Sequence, residues 1–174
     1  YVIAPFAIWF ALTKIQSRCI ITSSSGNQLA SQTENYIRDL AALVNKHHGE
    51  QIFRIRQRYI KCNLSGSEIR LFATDEAGKA EGYHPITPVS EMAIIINEAK
   101  SVSEDIFSAL KRCTGFNYWI EVSTPGEPSG HFHRSFTNPK LRFVTRRVTS
   151  YDCPHLSSDE RDQDAAELGE HSAL

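Results

Sequence analysis

The residues best placed to do chemistry stand in Met92–Lys100, MAIIINEAK. Ala93 to Ile96 read as a strand buried on both faces, and the polar pair Asn97-Glu98 breaks out at its carboxyl end. Such a position suits a polar group facing a magnesium ion and a glutamate orienting a water on a terminal phosphate. The competing reading of Glu98 is an acidic cap on whatever helix follows. A second apolar run, 116–122, ends in Ser123-Thr124-Pro125-Gly126. Small hydroxyls there can hydrogen-bond a phosphate or its water. A plain strand-to-turn junction at Pro125-Gly126 is the alternative.

Several other groups have weaker spacing. His131 and His133 resemble two metal ligands on a strand, but with no third ligand close in sequence they read as a surface pair. His47-His48 suits the negative end of a helix dipole. His84 falls in a loop before the catalytic-looking strand, where it would line a nucleotide or DNA path or make an ordinary loop contact. Arg54, Arg56, Arg58 and Lys61 fall mostly on one strand face by alternation, either a solvated face or a DNA-facing stripe. Arg134, Lys140, Arg142, Arg146 and Arg147 form a second basic group; Arg134, Arg146 and Arg147 are the candidates for DNA contact or for action on a neighbouring subunit's nucleotide. Gln28 and Gln32 stand one helical turn apart and read as packing polar contacts.

These residues need a scaffold, and the composition supplies one. The chain has 174 residues, 41% hydrophobic and 22% charged, enough for one packed core and too apolar for disorder throughout. A net charge of −1 excludes a binder held to nucleic acid or membrane by bulk charge, and leaves room for a local basic patch. Cys19, Cys62, Cys113 and Cys153 lie far apart without a Cys-x-x-Cys pair, which reads as reduced thiols rather than zinc or a disulfide scaffold. Residues 1–13 are charge-free, yet short of the roughly 20 needed to span a bilayer, and they lack the basic leader of a signal peptide. A soluble intracellular chain is the expectation.

The hydrophobic pattern predicts a helix over 1–14, a strand ending near 22–25, and a helix over 27–46 closed by Gly49. Residues 51–62 and 67–74 read as the two strands of a hairpin turning at 64–66. After a Gly/Pro loop over 78–88 come the buried strand near 93–97, a helix over 102–113 and a third buried strand to 122. A short helix at 128–137, an edge strand at 141–149 and a polar helix at 157–168 complete the chain. Strands and helices alternating at this pitch predict an α/β fold, a mostly parallel sheet flanked by helices on both faces. Ligands gather beyond the carboxyl ends of such strands, so residues 22–24, 97–98 and 123–124 should share one edge.

Together these features resemble the ATPase domain of the large terminase subunit, the motor that packages DNA into tailed-phage capsids. IIINEAK at 94–100 resembles the family's Walker B string, with Asn97 where the family has Asp. VSTPG at 122–126 followed by SGHFHRSF at 129–136 resembles its coupling motif and Gly-aromatic segment. CIITSSSGNQLASQ at 19–32 is similar to its strand-Thr-x-x-x-x-x-Gln element, and YDCPHLSSDE at 151–160 to a Pro-containing segment before a polar helix. The phosphate-binding string Gly-x-x-x-x-Gly-Lys-Ser/Thr does not occur in these residues. In the family it immediately precedes a helix resembling 1–14.

The resemblance implies a RecA-like P-loop ATPase core lacking its Walker A loop. Residues 1–174 would be a single partial ATPase domain without the family's nuclease domain. It implies that the full-length parent hydrolyses ATP with Mg2+ to translocate double-stranded DNA, and that this portion alone is inactive. Glu98 would be catalytic, Asn97 would stand at the metal, and Asn97, Ser123 and Thr124 would meet the nucleotide. Double-stranded DNA, the portal protein and the small terminase subunit are the implied partners, in a ring-forming homo-oligomer docked on procapsids in the host cytoplasm. The alternatives are another RecA-like translocase or helicase ATPase, or a non-catalytic remnant that binds DNA or a partner.

Overall fold

A strand hydrogen-bonded on both sides and covered on both faces must be apolar almost throughout, and β1 (Arg18–Ser23) meets that condition: all but Arg18 is buried. In the computed structural model, which describes residues 2–73, 82–154 and 157–168, β1 pairs in parallel with β4 (Glu68–Ala73) and β5 (Met92–Asn97). The six-stranded sheet has the order β2-β3-β4-β1-β5-β6, where β2 is Phe53–Arg56, β3 is Tyr59–Cys62 and β6 is Tyr118–Val122. β5 and β6 are parallel, whereas β3 runs antiparallel to both β2 and β4. The expected mostly parallel α/β sheet is present.

Alternation assigns the faces. Cys19, Ile21, Ile69, Leu71, Ala93 and Ile95 share one core with α1 (Ile3–Thr13) and α3 (Asn35–His48). Phe10 is fully buried at its centre and meets Tyr118 edge-on. Truncating it to Ala would cost about 3–5 kcal/mol. Ile20, Ile94 and Ile96 point the other way, the side on which Trp119 meets Phe107 of α4 (Glu104–Lys111). Ile106, Phe107, Ala109 and Leu110 are the buried residues of that amphipathic helix. Helices therefore flank both faces, as the alternating pattern predicts.

Several details differ from the sequence reading. Residues 51–62 are two strands, not one: β2 and β3 form their own hairpin, with Arg58 at a positive φ of 55° in its turn. Polar Gln57-Arg58 is a short interruption that alternation alone does not mark. β6 is only half-buried, with Tyr118 and Val122 exposed by more than a third, because it lies at the sheet edge, paired among the described residues with β5 alone. Residues 142–148 are irregular rather than a strand; Val144 and Val148 point to solvent, and no ladder pairs the segment. The loop expected at 78–88 and the segment at 151–160 lie partly outside the described residues. No helix among the described residues is long and apolar enough to cross a membrane.

The chain forms two compact units, Tyr1–Ser123 and Thr124–Leu174. The first carries the sheet. The second contains α5 (Gly130–Thr137), a 3-10 turn at Pro139–Leu141 and α6 (Ser158–Leu168).

At the amino end of the sheet, Glu68 is buried between two arginines. Arg70 donates to it at 2.7 Å and Arg18 donates from the neighbouring strand. Arg18 also donates to the carbonyl of His84 and lies over the Tyr83 ring, tying that loop to the strands. Burial alone would push the Glu68 carboxyl up, but the bonds from Arg70 and Arg18 outweigh it and hold it below its ordinary 4.5. The stability that this carboxylate contributes is therefore complete above about pH 4.5 and lost as pH falls through the lowered folded value. Urea titrations across the acid range should show this loss, and Glu68→Gln should both lower stability at neutral pH and flatten the acid dependence.

Candidate functional site

Asn97 is the last residue of β5 and pairs in register with Ser23, the last of β1. Both follow the alternation of Ile95 and Ile21, so they face the α1/α3 side. There the Asn97 Nδ2 donates to Thr33 Oγ1 at 3.0 Å, leaving the amide oxygen as an acceptor. The Ser23 hydroxyl is buried and has no hydrogen-bond partner among the described residues. That is a costly state for a polar group unless something else satisfies it. Ile3, Ala4, Gln32, Thr33, Tyr36 and Asn97 line a cleft of about 60 Å³. Its volume suits a few waters or a small ion, not a nucleotide.

Two local features build this cleft. Ser25 caps a helical run by accepting from Gln28 N at 3.2 Å, and Ser24 donates to Gln28 Oε1. The run then widens into a π-helical stretch, Leu29–Glu34, which buries Thr33 and Glu34. π turns shift the facing residues off the 3.6 period and recur at functional sites. α1 opens at the same place without a side-chain cap, and Pro5 has no N–H to give. Its first amides are an electropositive helix end beside Ile3 and Ala4.

Glu98 follows immediately and is not a cap. It adopts the left-handed conformation, φ 51° and ψ 44°, and its side chain makes no capping bond to the 3-10 turn Ala99–Ser101. Non-glycine residues rarely hold this conformation, and observed cases cluster at functional positions. Glu98 is half-buried. Ser123 stands at the next register step beyond Val122, the partner of Asn97. Its hydroxyl accepts from Lys100 N at 3.4 Å, which ties the β6 end to the turn after Glu98. Asn97, Glu98 and Ser123 thus share the carboxyl edge of adjacent strands. Thr124 begins the second unit, as Arg134, Arg146 and Arg147 belong to it; all four side chains lie in exposed or partly exposed positions there.

Other candidates fall elsewhere. His84 bonds Thr114 at 3.0 Å, and its carbonyl is held by Arg18 at the amino end of β1, opposite the Asn97 edge. His131 is buried within its own unit, and no group of three or more His, Cys, Asp or Glu among the described residues could hold a metal. Arg58 leaves the basic stripe for the hairpin turn, where its backbone N–H donates to Glu34 Oε1 at 2.8 Å. Thr33 and Glu34 are not legible in the sequence as site residues. The Thr-x-x-x-x-x-Gln spacing points instead to Thr22, whose hydroxyl bonds the Phe72 carbonyl on the other face.

If the strained geometry at Glu98 is kept for its side chain, stability should improve when the strain is relieved. Glu98→Gly should raise the unfolding free energy by about 1 kcal/mol, while Glu98→Ala, which keeps the Cβ penalty, should leave it nearly unchanged. Urea denaturation of the two variants measures the difference.

No protein-family model matches the chain, nor does any curated protein sequence match it significantly. Solved structures do. The HK97 bacteriophage large terminase superposes with a TM-score of 0.69 at 15% identity, over 95% of this chain and 35% of that one. The large terminase from a thermophilic bacteriophage gives 0.68 at 14% identity, over 93% of this chain and 40% of that one. The same thermophilic phage's terminase in complex with ATP-gamma-S gives 0.64, again at 14%, over 93% and 39%. The six-stranded, mostly parallel sheet with its flanking helices is the fold of the terminase ATPase core. The chain spans about two fifths of the length of these structures.

Proposed function

We propose that residues 1–174 are part of an ATP-hydrolysing motor of the phage terminase kind, one that moves double-stranded DNA. The observation that carries this reading is the convergence at one sheet edge of Asn97, the strained Glu98 and the Ser23 hydroxyl, which is buried without a partner among the described residues. The shared fold, seen also in a terminase complexed with ATP-gamma-S, supports it.

Magnesium and ATP are implied by the fold, and the residues fit one side of such a site. Among the described residues the Asn97 amide oxygen is an open acceptor and the Ser23 hydroxyl is unsatisfied, and the first amides of α1 would supply donors for phosphate. Magnesium keeps several waters and takes only one or two protein oxygens beside phosphates, so a sparse donor set is no misfit. When bound, the ion would supply positive charge that offsets the charge developing in phosphoryl transfer. Asn97 would hold that ion's water shell, Glu98 would orient the attacking water, and Ser123 with Thr124 would report the γ-phosphate state. Ser123 is suited to this because its hydroxyl already bonds the turn that carries Glu98.

The walls of the cleft are too small for a nucleotide. A Gly-x-x-x-x-Gly-Lys segment leading into α1 would complete the phosphate side. Portal protein, small terminase subunit, ring assembly and a host-cytoplasmic setting belong to the same reading, with Arg134, Arg146 or Arg147 acting in trans. One observation favours a second reading, a non-catalytic remnant: Asn97 carries an amide where a carboxylate would bind the metal's waters about twice as strongly.

Phosphate release separates the two. Residues 1–174 alone should hydrolyse ATP no faster than background, for want of the lysine and the row of amides that hold phosphates. Joined to a phosphate-binding segment before Tyr1, the protein should hydrolyse ATP, Glu98→Gln should abolish turnover while sparing ATP-gamma-S binding, and Asn97→Asp should lower the magnesium needed for half-maximal rate. Hydrolysis that survives Glu98→Gln, or an Asn97→Asp variant needing more magnesium, would overturn the assignment.

A further inference from the structure

Among the described residues, one half of the sheet has helices over only one of its faces. On β2 and β3, Phe53, Ile60 and Cys62 point into the α1/α3 core. Their alternates Arg54, Arg56 and Lys61 point the other way and are all exposed. The register places Arg54 directly opposite Lys61, and Arg56 opposite Tyr59. Like charges facing each other across a strand pair are destabilising. No acid offsets this pair: among the described residues Arg54, Arg56 and Lys61 have no ion-pair partner. Glu68 stands opposite Lys61 on β4, and Arg18 and Arg70 already hold it. The chain as a whole is nearly neutral, at −1, so this concentration of cations is local.

We propose that this exposed face of the β2–β3 hairpin grips the sugar–phosphate backbone of duplex DNA through Arg54, Arg56 and Lys61. A polyanion is the partner that turns the built-in repulsion into attraction. Arg54 and Arg56 are two residues apart on an extended strand, roughly 6.6 Å, which matches about two nucleotide rises of 3.4 Å on one DNA strand. Contacts from Arg and Lys to phosphate oxygens carry no sequence information directly, so a grip on the backbone is indifferent to base sequence. That indifference to sequence is what a translocating motor needs; the choice of duplex DNA rests on the function proposed above, while the anion preference rests on the charges alone.

Binding of a fluorescent mixed-sequence duplex to the 174-residue chain, read by anisotropy between about 50 and 200 mM salt, tests this. Replacing Arg54, Arg56 and Lys61 together by Gln should weaken binding about ten-fold or more at the lowest salt. It should also make the slope of log K against log salt shallower by nearly three contacts' worth, at about 0.9 each. The melting temperature should hold or rise, because the cross-strand repulsion is gone. Arg54→Lys with Arg56→Lys should retain the wild-type slope. The inference is overturned if the wild-type chain fails to bind duplex at low salt, if the triple variant binds with unchanged slope, or if its loss accompanies a lower melting temperature. It is equally overturned if Arg134→Gln with Arg146→Gln and Arg147→Gln alone abolishes binding, or if the chain prefers an acidic polypeptide to DNA. Phosphate release and its dependence on Glu98 are read separately, so either reading can fail without the other.

Discussion

The structure depends on the double burial of β1. β1 is hydrogen-bonded to β4 on one side and β5 on the other, which satisfies its backbone, and it carries apolar side chains on both faces, so both must be covered by packing. The side chains of Cys19 and Ile21 supply one face and Ile20 the other. This constraint brings α1 and α3 to one side and α4 to the opposite one. It also aligns the carboxyl ends of β1 and β5, and that alignment sets Ser23 beside Asn97. The polar edge is a consequence of packing several residues away.

Local strain and local charge are concentrated where burial ends. At the carboxyl edge the chain holds Glu98 left-handed, buries the Ser23 hydroxyl without a partner among the described residues, and bends a helix into a π turn so that Thr33 meets Asn97. Each departs from the cheapest local conformation, and together they occupy a small region of one sheet edge. At the opposite edge the arrangement is well satisfied: Glu68 is bonded by two arginines, and Lys14 pairs with Glu91 at 2.7 Å. The contrast fits a sheet whose amino end stabilises and whose carboxyl end is left available to a ligand.

The outer strands follow a different logic. β2 ends the sheet with Arg54 and Arg56 exposed, and charged edge strands resist pairing with another chain. β6 ends it on the other side with half-exposed aromatic and aliphatic residues and no charge on Tyr118, Trp119 or Ile120. The two edges of one sheet are thus protected to different degrees.

The strongly periodic or wholly apolar elements were legible in the sequence. Strands at 18–23 and 92–97 are too short, too β-branched and too apolar to be anything but buried, and the helix expected from residue 27 is signalled by its apolar periodicity and by Gly49 at its end, where φ is 68°. The polar break at Asn97-Glu98 was equally visible, since a buried run must end where its side chains become polar. What sequence could not decide was the outcome of competition between distant segments. Whether the run 116–122 lies inside the sheet or at its rim depends on how many strands find it, and among the described residues only β5 does. Whether Arg58 joins a basic stripe depends on a turn that closes well before the glycine at 66, with Glu34 waiting to accept its N–H. Thr33 entered the site through a π turn that no 3.6-residue pattern encodes. Composition and periodicity determined which residues must leave water; only tertiary structure decided which of them would meet, because register, strand order and turn geometry are settled by packing across the sheet rather than along the chain.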